Sequence, residues 1–479
     1  MMGPVPALED RAIDCARRLR EASSVLVASH IDADGLTSAA IAARALERAG
    51  IAHEVVFENQ LDDDRIAAIA ETGYDTVLFT DFGSGQLDAI AEHEDRGAFE
   101  PVIADHHQPA EATTEYHLNP LLKNIDGAKE LSGAGAAYVL ARALAETGDG
   151  QTATEDKSDN RDLAALAVVG AIGDMQAVDG ELVGANRGIV EEGDEAGVLE
   201  EGTDLALYGT QTRPLPKLLE YASEVRIPGI SNDEAGAVAF LEELGVELKR
   251  DGDWRRWVDL SAEEKQTVAS ALLQRALRRG VPAEKAERLI GTTYTLKDER
   301  RGTELRDASE FSTLLNATAR YERADVGLAV CLGDRAGAME RARTLLQNHR
   351  RRLSEGLTRV KEQGVEQESH LQWFDAGTEI RETIVGIVAG MALGVDGVDP
   401  NRPIVAFARK GEEETKVSGR GTARLVGQGL DLSTVMTEAA GAVGGEGGGH
   451  DVAAGATIPA GAEEQFIARV DAVVGEQLG

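Results

Sequence analysis

His30-Ile31-Asp32-Ala33-Asp34-Gly35 offers one imidazole and two carboxylates at alternate positions. Residues of these types, so spaced, are metal-ligand chemistry, although an Asp-x-Asp-Gly alone also fits a turn or a fragment of a calcium loop. The EF-hand pattern fails, because it needs further ligands at fixed spacing before a distal Glu. Three more clusters follow: Asp81-Phe82-Gly83-Ser84-Gly85, Asp105-His106-His107-Gln108-Pro109 and Gly173-Asp174-Met175. Asp81 by itself, beside Ser84 and Gly85, reads as a helix N-cap. Adjacent histidines in a chain with only nine are a stronger signal. Taken together, the clusters suit two divalent ions about 3.5–4 Å apart, a bridging carboxylate and a bridging water, the arrangement that hydrolyses phosphodiesters. Mixed imidazole and carboxylate donors without thiolate favour Mn²⁺ or a similar borderline ion over calcium.

Each cluster follows a predicted element. Apolar runs predict strands at 25–29, 54–57, 75–80 and 101–104, separated by helical patterns at 37–49, 61–71 and 86–95, with a leading helix at 8–22. Strands alternating with helices of this length predict a parallel, doubly wound α/β sheet, which presents ligands at the carboxyl ends of its strands. Helices follow at 133–146 and 161–173, flanking a polar, exposed loop at 148–160, and 191–204 reads as an acidic surface connection. The pattern divides the chain into a metal-binding lobe (1–205), a mainly helical insertion (206–310), the remainder of that lobe with a basic linker helix (311–366) and a smaller C-terminal α/β domain (367–479). Within the insertion, helices are expected at 233–245, 261–279 and 283–290. Residues 311–332 read as helix then apolar strand, and 340–361 as a long arginine-rich helix joining two lobes, its arginines either a solvated face or a wall of the cleft between lobes. The last domain reads as strand 382–388, helix to 392, strands 403–409 and 414–419, and helix 430–440. It ends in Gly444-Gly445-Glu446-Gly447-Gly448-Gly449-His450, where consecutive backbone amides suit an anion-binding nest. Trp254, Trp257 and Trp373 read as core or interface residues.

Composition bounds the setting. With 84 acidic and 49 basic residues the net charge is −35, and the acid is spread along the chain, as on a solvating surface suited to a high-salt cytoplasm. In about 1 M salt the Debye length is only about 3 Å, so local basic patches and metals decide nucleic-acid binding more than net charge does. Two cysteines, Cys15 and Cys331, exclude a disulfide framework or a thiolate site. No apolar run is long enough to span a membrane, and no secretory signal is visible, so a cytoplasmic setting is expected.

His30-x-Asp32-x-Asp34-Gly35, Asp81, Asp105-His106-His107 and Gly173-Asp174 resemble the four motifs of the DHH phosphoesterase superfamily, and Val417-Ser418-Gly419-Arg420 with Gly447-Gly448-Gly449-His450 resembles its DHHA1 accessory domain. Size, insertion, Leu314-Leu315-Asn316 and the segment from Gly327 to Asp334 are similar to archaeal RecJ-like nucleases, including the GINS-associated nuclease. The resemblance implies two Mn²⁺ ions, with Mg²⁺ or Co²⁺ as alternatives. His30, Asp32 and Asp81 would hold one, and Asp34, Asp81, His106 and Asp174 the other, with Asp81 bridging. It casts Asp105 as the partner that orients an imidazole, His107 as a donor to the scissile phosphate, and Asn119 as part of the rim. Ser418, Arg420, Gly448, Gly449 and His450 would grip substrate. The implied activity is exonucleolytic hydrolysis of single-stranded DNA or RNA in replication or repair, with GINS and the replicative helicase as partners. The competing readings are a phosphodiesterase of short oligonucleotides or cyclic dinucleotides, and a helicase-associated accessory protein.

Overall fold

Strand order explains where the acidic loops meet. The computed structural model describes residues 3–147, 159–222, 225–395 and 397–479. Its first sheet contains β1 (Val25–His30), β2 (His53–Glu58), β3 (Thr76–Thr80), β4 (Glu100–Ala104) and β5 (Tyr116–Leu118). The order is β2-β1-β3-β4-β5 and every pair is parallel, with Val27 opposite both Val55 and Leu78. Helices α1 (Glu9–Glu21), α2 (Ala33–Ala49), α3 (Asp63–Ala70), α4 (Leu87–Asp95) and α5 (Gly133–Glu146) accompany it. Leu26, Phe79 and Ile103 pack with Ile66 and Ile69 of α3 and Leu87 and Ile90 of α4, while α2 and α5 lie against the strands as a second layer. From β1 the chain goes to β2 on one side and then crosses to β3 on the other. That reversal is the topological switch point, where open α/β sheets bind ligands beyond the strand ends.

Helices α6 (Ala164–Gly173) and α7 (Gly184–Glu195) follow. The acidic stretch 191–204 is not a surface connection. It is the end of α7 and strand β6 (Leu199–Leu205), whose Leu199 and Leu205 are buried, so a few apolar positions outweigh the acidic composition. Of the loop 148–160, residues 148–158 lie outside the described residues. Asn160 is buried rather than exposed, because its Nδ2 donates to Ala141 O (2.7 Å) and its Oδ1 accepts from Arg48 (2.9 Å).

The insertion comprises α8 (Leu215–Glu220), α9 (Glu234–Glu243), the hairpin β7 (Lys249–Arg250) and β8 (Asp253–Trp254), α10 (Ala262–Arg278) and α11 (Ala283–Glu287). Leu215, Leu218, Phe240, Trp257 and Leu272 form its core. The helix expected to reach residue 290 stops earlier, and β9 (Ile290–Leu296) returns antiparallel to β6 with Ile290 opposite Leu205. Helices α12 (Ala308–Ala319) and α13 (Ala324–Cys331) come next. The apolar run read as a strand is α13, because its buried residues Ala324, Gly327 and Cys331 recur at helical spacing.

The arginine-rich helix α14 (Gly337–Gln363) continues from the first compact unit, Met1–Arg343, into the second, Thr344–Gly479. Several of its guanidiniums have carboxylate partners: Arg343 pairs with Glu304 (2.8 Å) and Arg359 with Glu379. The second unit holds β10 (Glu366–Gln367), β11 (Gln372–Asp375), β12 (Ile404–Lys410), β13 (Glu414–Arg420), β14 (Glu446–Gly449) and β15 (Ala453–Pro459), in the order β10-β11-β12-β13-β15-β14. Its helices are α15 (Val385–Ala392), α16 (Ala423–Val426), α17 (Leu432–Ala442) and α18 (Glu463–Leu478). The strand expected at 382–388 is a turn leading into α15, whose Val385, Val388 and Ala392 share one buried helix face. In the glycine-rich tail Glu446–Gly449 pairs with β15 as an edge strand. Trp257 is core and Trp373 half-buried. Trp254 departs from the core reading, since it is exposed beneath the Lys249 ammonium (4.5 Å).

Candidate metal centre

The loops after β1, β3 and β4 bring their polar side chains to the switch point, and the end of α6 adds Asp174. Asp81 stands at the middle. Its N–H extends the ladder by donating to Ala104 O (3.1 Å), after which a left-handed backbone (φ 60°) turns the chain. Its Oδ1 lies 3.3 Å from His106 Nε2 and its Oδ2 3.6 Å from His30 Nδ1. On one side His30 Nδ1 also lies 3.2 Å from Asp32 Oδ2. On the other, His106 Nε2 is 3.8 Å from both Asp34 Oδ2 and Asp174 Oδ2. His30, Asp32 and Asp81 thus form one donor set, and Asp34, His106 and Asp174 another, each compact enough to hold an ion.

Backbone groups aim these donors. His106 donates from Nδ1 to Gly127 O (2.6 Å), which leaves the Nε2 lone pair facing the carboxylates, as a metal-bound imidazole requires. Asp34 accepts from Gly133 N (2.7 Å) and Ala134 N (3.0 Å) at the N-terminus of α5, where the helix dipole favours negative charge. A Cβ at Gly133 would come within 2.5 Å of Asp81 Oδ1, so only glycine lets α5 approach this closely. Asp32 caps α2 by accepting from Gly35 N (3.0 Å) with Oδ1, leaving Oδ2 toward His30.

The electrostatics express a shortage of positive charge. Burial, then the charges of Asp81 and Asp174, push Asp34 well above the usual carboxylate range. Asp174 rises to about 6, chiefly through burial, with Asp81 adding to it and His106 opposing. Burial works against charging His30 and His106, yet hydrogen bonds and charges from the surrounding aspartates prevail and push both up to about 11. Four carboxylates and two imidazoles so placed fit a pair of divalent cations.

Asp105 lies within reach of this cluster but points elsewhere. It is fully buried, with Oδ2 accepting from Ser84 N (2.9 Å) and Oδ1 from His106 N (2.7 Å) and the His107 ring Nδ1 (2.8 Å). The imidazole it orients is therefore that of His107, whereas the metal-facing His106 takes its orientation from the Gly127 carbonyl. The Asp105 hydrogen bond raises the proton affinity of the half-exposed His107. Asn119 ties this loop together, donating to Ser84 Oγ and His107 O (both 2.9 Å).

Two residues outside the four metal motifs also support the site. Gln176 donates to Asp174 Oδ2 (2.9 Å) and Gly127 O (2.8 Å) and is held by Asn186 (2.7 Å). Asn316 of α12 accepts the Ala33 N–H (3.1 Å) between the two aspartates of the first motif. Gln176 lies two residues past Asp174; Asn316 stands in the Leu314-Leu315-Asn316 segment that carries the RecJ-like resemblance, but nothing in that segment signals the contact with Ala33. The expected substrate residues belong to the second unit. Ser418 and Arg420 lie on β13, Gly448 and Gly449 on β14, and His450 is exposed just beyond.

Residues 24–171 match the DHH family N-terminal domain, 207–290 the DHH-CID domain and 371–476 the DHHA1 domain. The chain is thus a DHH/DHHA1 protein, carrying these three domains. This DHH/DHHA1 protein is 29% identical over 462 residues to an uncharacterized protein of Methanocaldococcus jannaschii, covering 95% of the chain and 94% of the relative. Its fold is RecJ-like. It superposes on Thermus thermophilus RecJ in complex with Mn²⁺ with a TM-score of 0.61 at 20% identity, covering 99% of this chain but only 56% of that one. An exonuclease RecJ bound to manganese gives 0.59 at 20% identity, over 99% of this chain and 96% of that one. Entamoeba histolytica CDC45 gives 0.66 at 12% identity, over 98% and 99%. At these identities the likeness is one of fold.

Proposed function

We propose that this DHH/DHHA1 protein is a Mn²⁺-dependent exonuclease that hydrolyses phosphodiester bonds of single-stranded nucleic acid. The observation that carries the reading is the pair of donor sets meeting at Asp81 on the switch point of the sheet. His30, Asp32 and Asp81 would hold one ion and Asp34, Asp81, His106 and Asp174 the other. Bound there, such ions would supply the Lewis acidity that activates water and neutralises charge on the phosphate. His107, whose proton affinity is raised by its bond to Asp105, serves as a donor to a phosphate oxygen. Ser418, Arg420, Gly448, Gly449 and His450 hold the strand, and Asn119 fixes the loop that carries His107. The insertion, which has its own core, is the segment proposed to dock on GINS or the replicative helicase.

A time course on end-labelled single-stranded DNA and RNA, with Mn²⁺ and concentrated KCl, tests the activity. Stepwise shortening from one end is expected. Cleavage of dinucleotides alone would replace this reading with a short-substrate phosphodiesterase, and no cleavage of either would leave an accessory role.

A further inference from the structure

Most glycines of the tail have structural reasons that Gly448 lacks. A Cβ on Gly445 would lie 2.4 Å from Thr457 O, on Gly447 2.3 Å from Met436 O, and on Gly449 2.6 Å from Ala454 Cα. Backbone packed against them requires each to be glycine. A Cβ on Gly448 would meet nothing within 4 Å. Across the sheet Gly448 pairs with Gly455, which pairs with Ser418, which pairs with Ala406. Ala406 is packed into the core with α15. At the opposite end, Gly448 and Gly455 make a floor without side chains beside Ser418.

Lys416 reaches over this floor. On β13 it leaves the same face as Ser418 and Arg420, because side chains alternate along a strand. Its own neighbours across the sheet are Ala408 and Thr457. Its Nζ nevertheless lies 3.6 Å from the place a Cβ on Gly455 would occupy, so the side chain leans one row along, toward the glycines. Among the described residues no carboxylate pairs with it and no hydrogen bond receives its ammonium. The charges it does feel are those of Lys410 and Arg420, which together with burial lower its proton affinity. Lys410 itself has a partner in Glu414 (3.1 Å). In a chain with 84 acidic residues against 49 basic ones, a half-buried ammonium that faces only cations is at a disadvantage unless an anion joins it.

On the reading that the second unit grips nucleic acid, we propose that Lys416 is a phosphate-binding residue. Its ammonium, with the Ser418 hydroxyl and the Arg420 guanidinium, receives a phosphate laid on the Gly448–Gly455 floor. A compact ammonium with three rotatable donors fits above a glycine, and any cation that reaches the same place can serve.

The test uses the full chain without metal and in EDTA, so that substrate is bound but not cut. Binding of a 5′-phosphorylated single strand and of a phosphorylated dinucleotide is followed across a KCl series for wild type, Lys416→Ala and Lys416→Arg. Loss of one charge-assisted phosphate contact should weaken strand binding by about tenfold in Lys416→Ala and reduce the salt slope by about one. Lys416→Arg should keep the slope. Equal affinity and slope in wild type and Lys416→Ala would overturn the proposal while leaving the nucleic-acid reading intact. Wild type that takes only the dinucleotide, with Lys416→Ala impaired, would support the lysine and overturn the single-strand reading. Wild type that binds neither would overturn both.

Discussion

Asp81 faces His30 with one oxygen and His106 with the other, so its charge serves both donor sets. Asp81→Asn keeps the shape and removes that charge. Hydrolysis should fall by about 10²-fold or more, since both ions lose a ligand; activity within about tenfold of wild type would remove Asp81 from the bridging position. Asn316→Ala leaves the motifs intact but orphans the Ala33 N–H, and should weaken Mn²⁺ binding by roughly tenfold, as loss of a supporting hydrogen bond does. Glu310 is a pH-sensitive joint away from the centre. It is buried and accepts from Gln211 N (2.7 Å) and Thr212 Oγ1, and burial, helped by Asp307, pushes its pKa from 4.5 to about 7. The folded state therefore holds its proton more tightly than the unfolded state. The contribution is complete below pH 4.5 and is lost as pH rises through about 7. Denaturant titrations at both ends of that window should show Glu310→Gln losing roughly 2–3 kcal/mol less stability than wild type on going up. An equal loss would show that Glu310 does not titrate there. His30, Asp32, Asp34, Asp81, His106 and Asp174 were legible as candidates because each sits in a short local motif. Asn316, Gly127 and Gly133 were not, because their partners are decided by how α12 and α5 dock.

Among the elements, the parallel sheet was legible wherever apolar runs alternated with long helical patterns, at β1, β2, β3 and β4, whereas the three-residue β5 was not. Errors gathered where composition and packing disagree. The stretch at 191–204 looked acidic yet inserts Leu199 and Leu205 into the core, and the apolar residues at 324–331 are helical because they are buried on one face rather than two. The tail glycines did not read as a strand because glycine is depleted in strands. Here most of them admit α17 and β15 at close range. The β6–β9 pair also defines how the insertion is attached. Leu205 stands opposite Ile290, so joining those residues with a short turn should excise the insertion without tearing the first unit. The excised protein should keep its metal affinity and lose capture of GINS in a pull-down. Loss of metal would show that the insertion supports the centre, and retained capture would place docking elsewhere.

For the whole molecule, a net charge of −35 makes self-repulsion a term in stability, and repulsion between exposed charges is what salt screens. Thermal unfolding followed across a KCl series should show the melting temperature rising with salt; a flat or falling curve would exclude a charge-limited fold. The contact between Ala33 and Asn316, which bridges a sequence separation of 283, also bears on how the protein is made. A chain emerging from the ribosome exposes its last candidate ligand, Asp174, long before α12 has been synthesised. Until α12 docks, the Ala33 amide in the middle of the first motif has no Asn316 to hold it. Synthesis of the insertion therefore imposes a delay between having the ligands and fixing them, so the centre would mature only as the first unit closes.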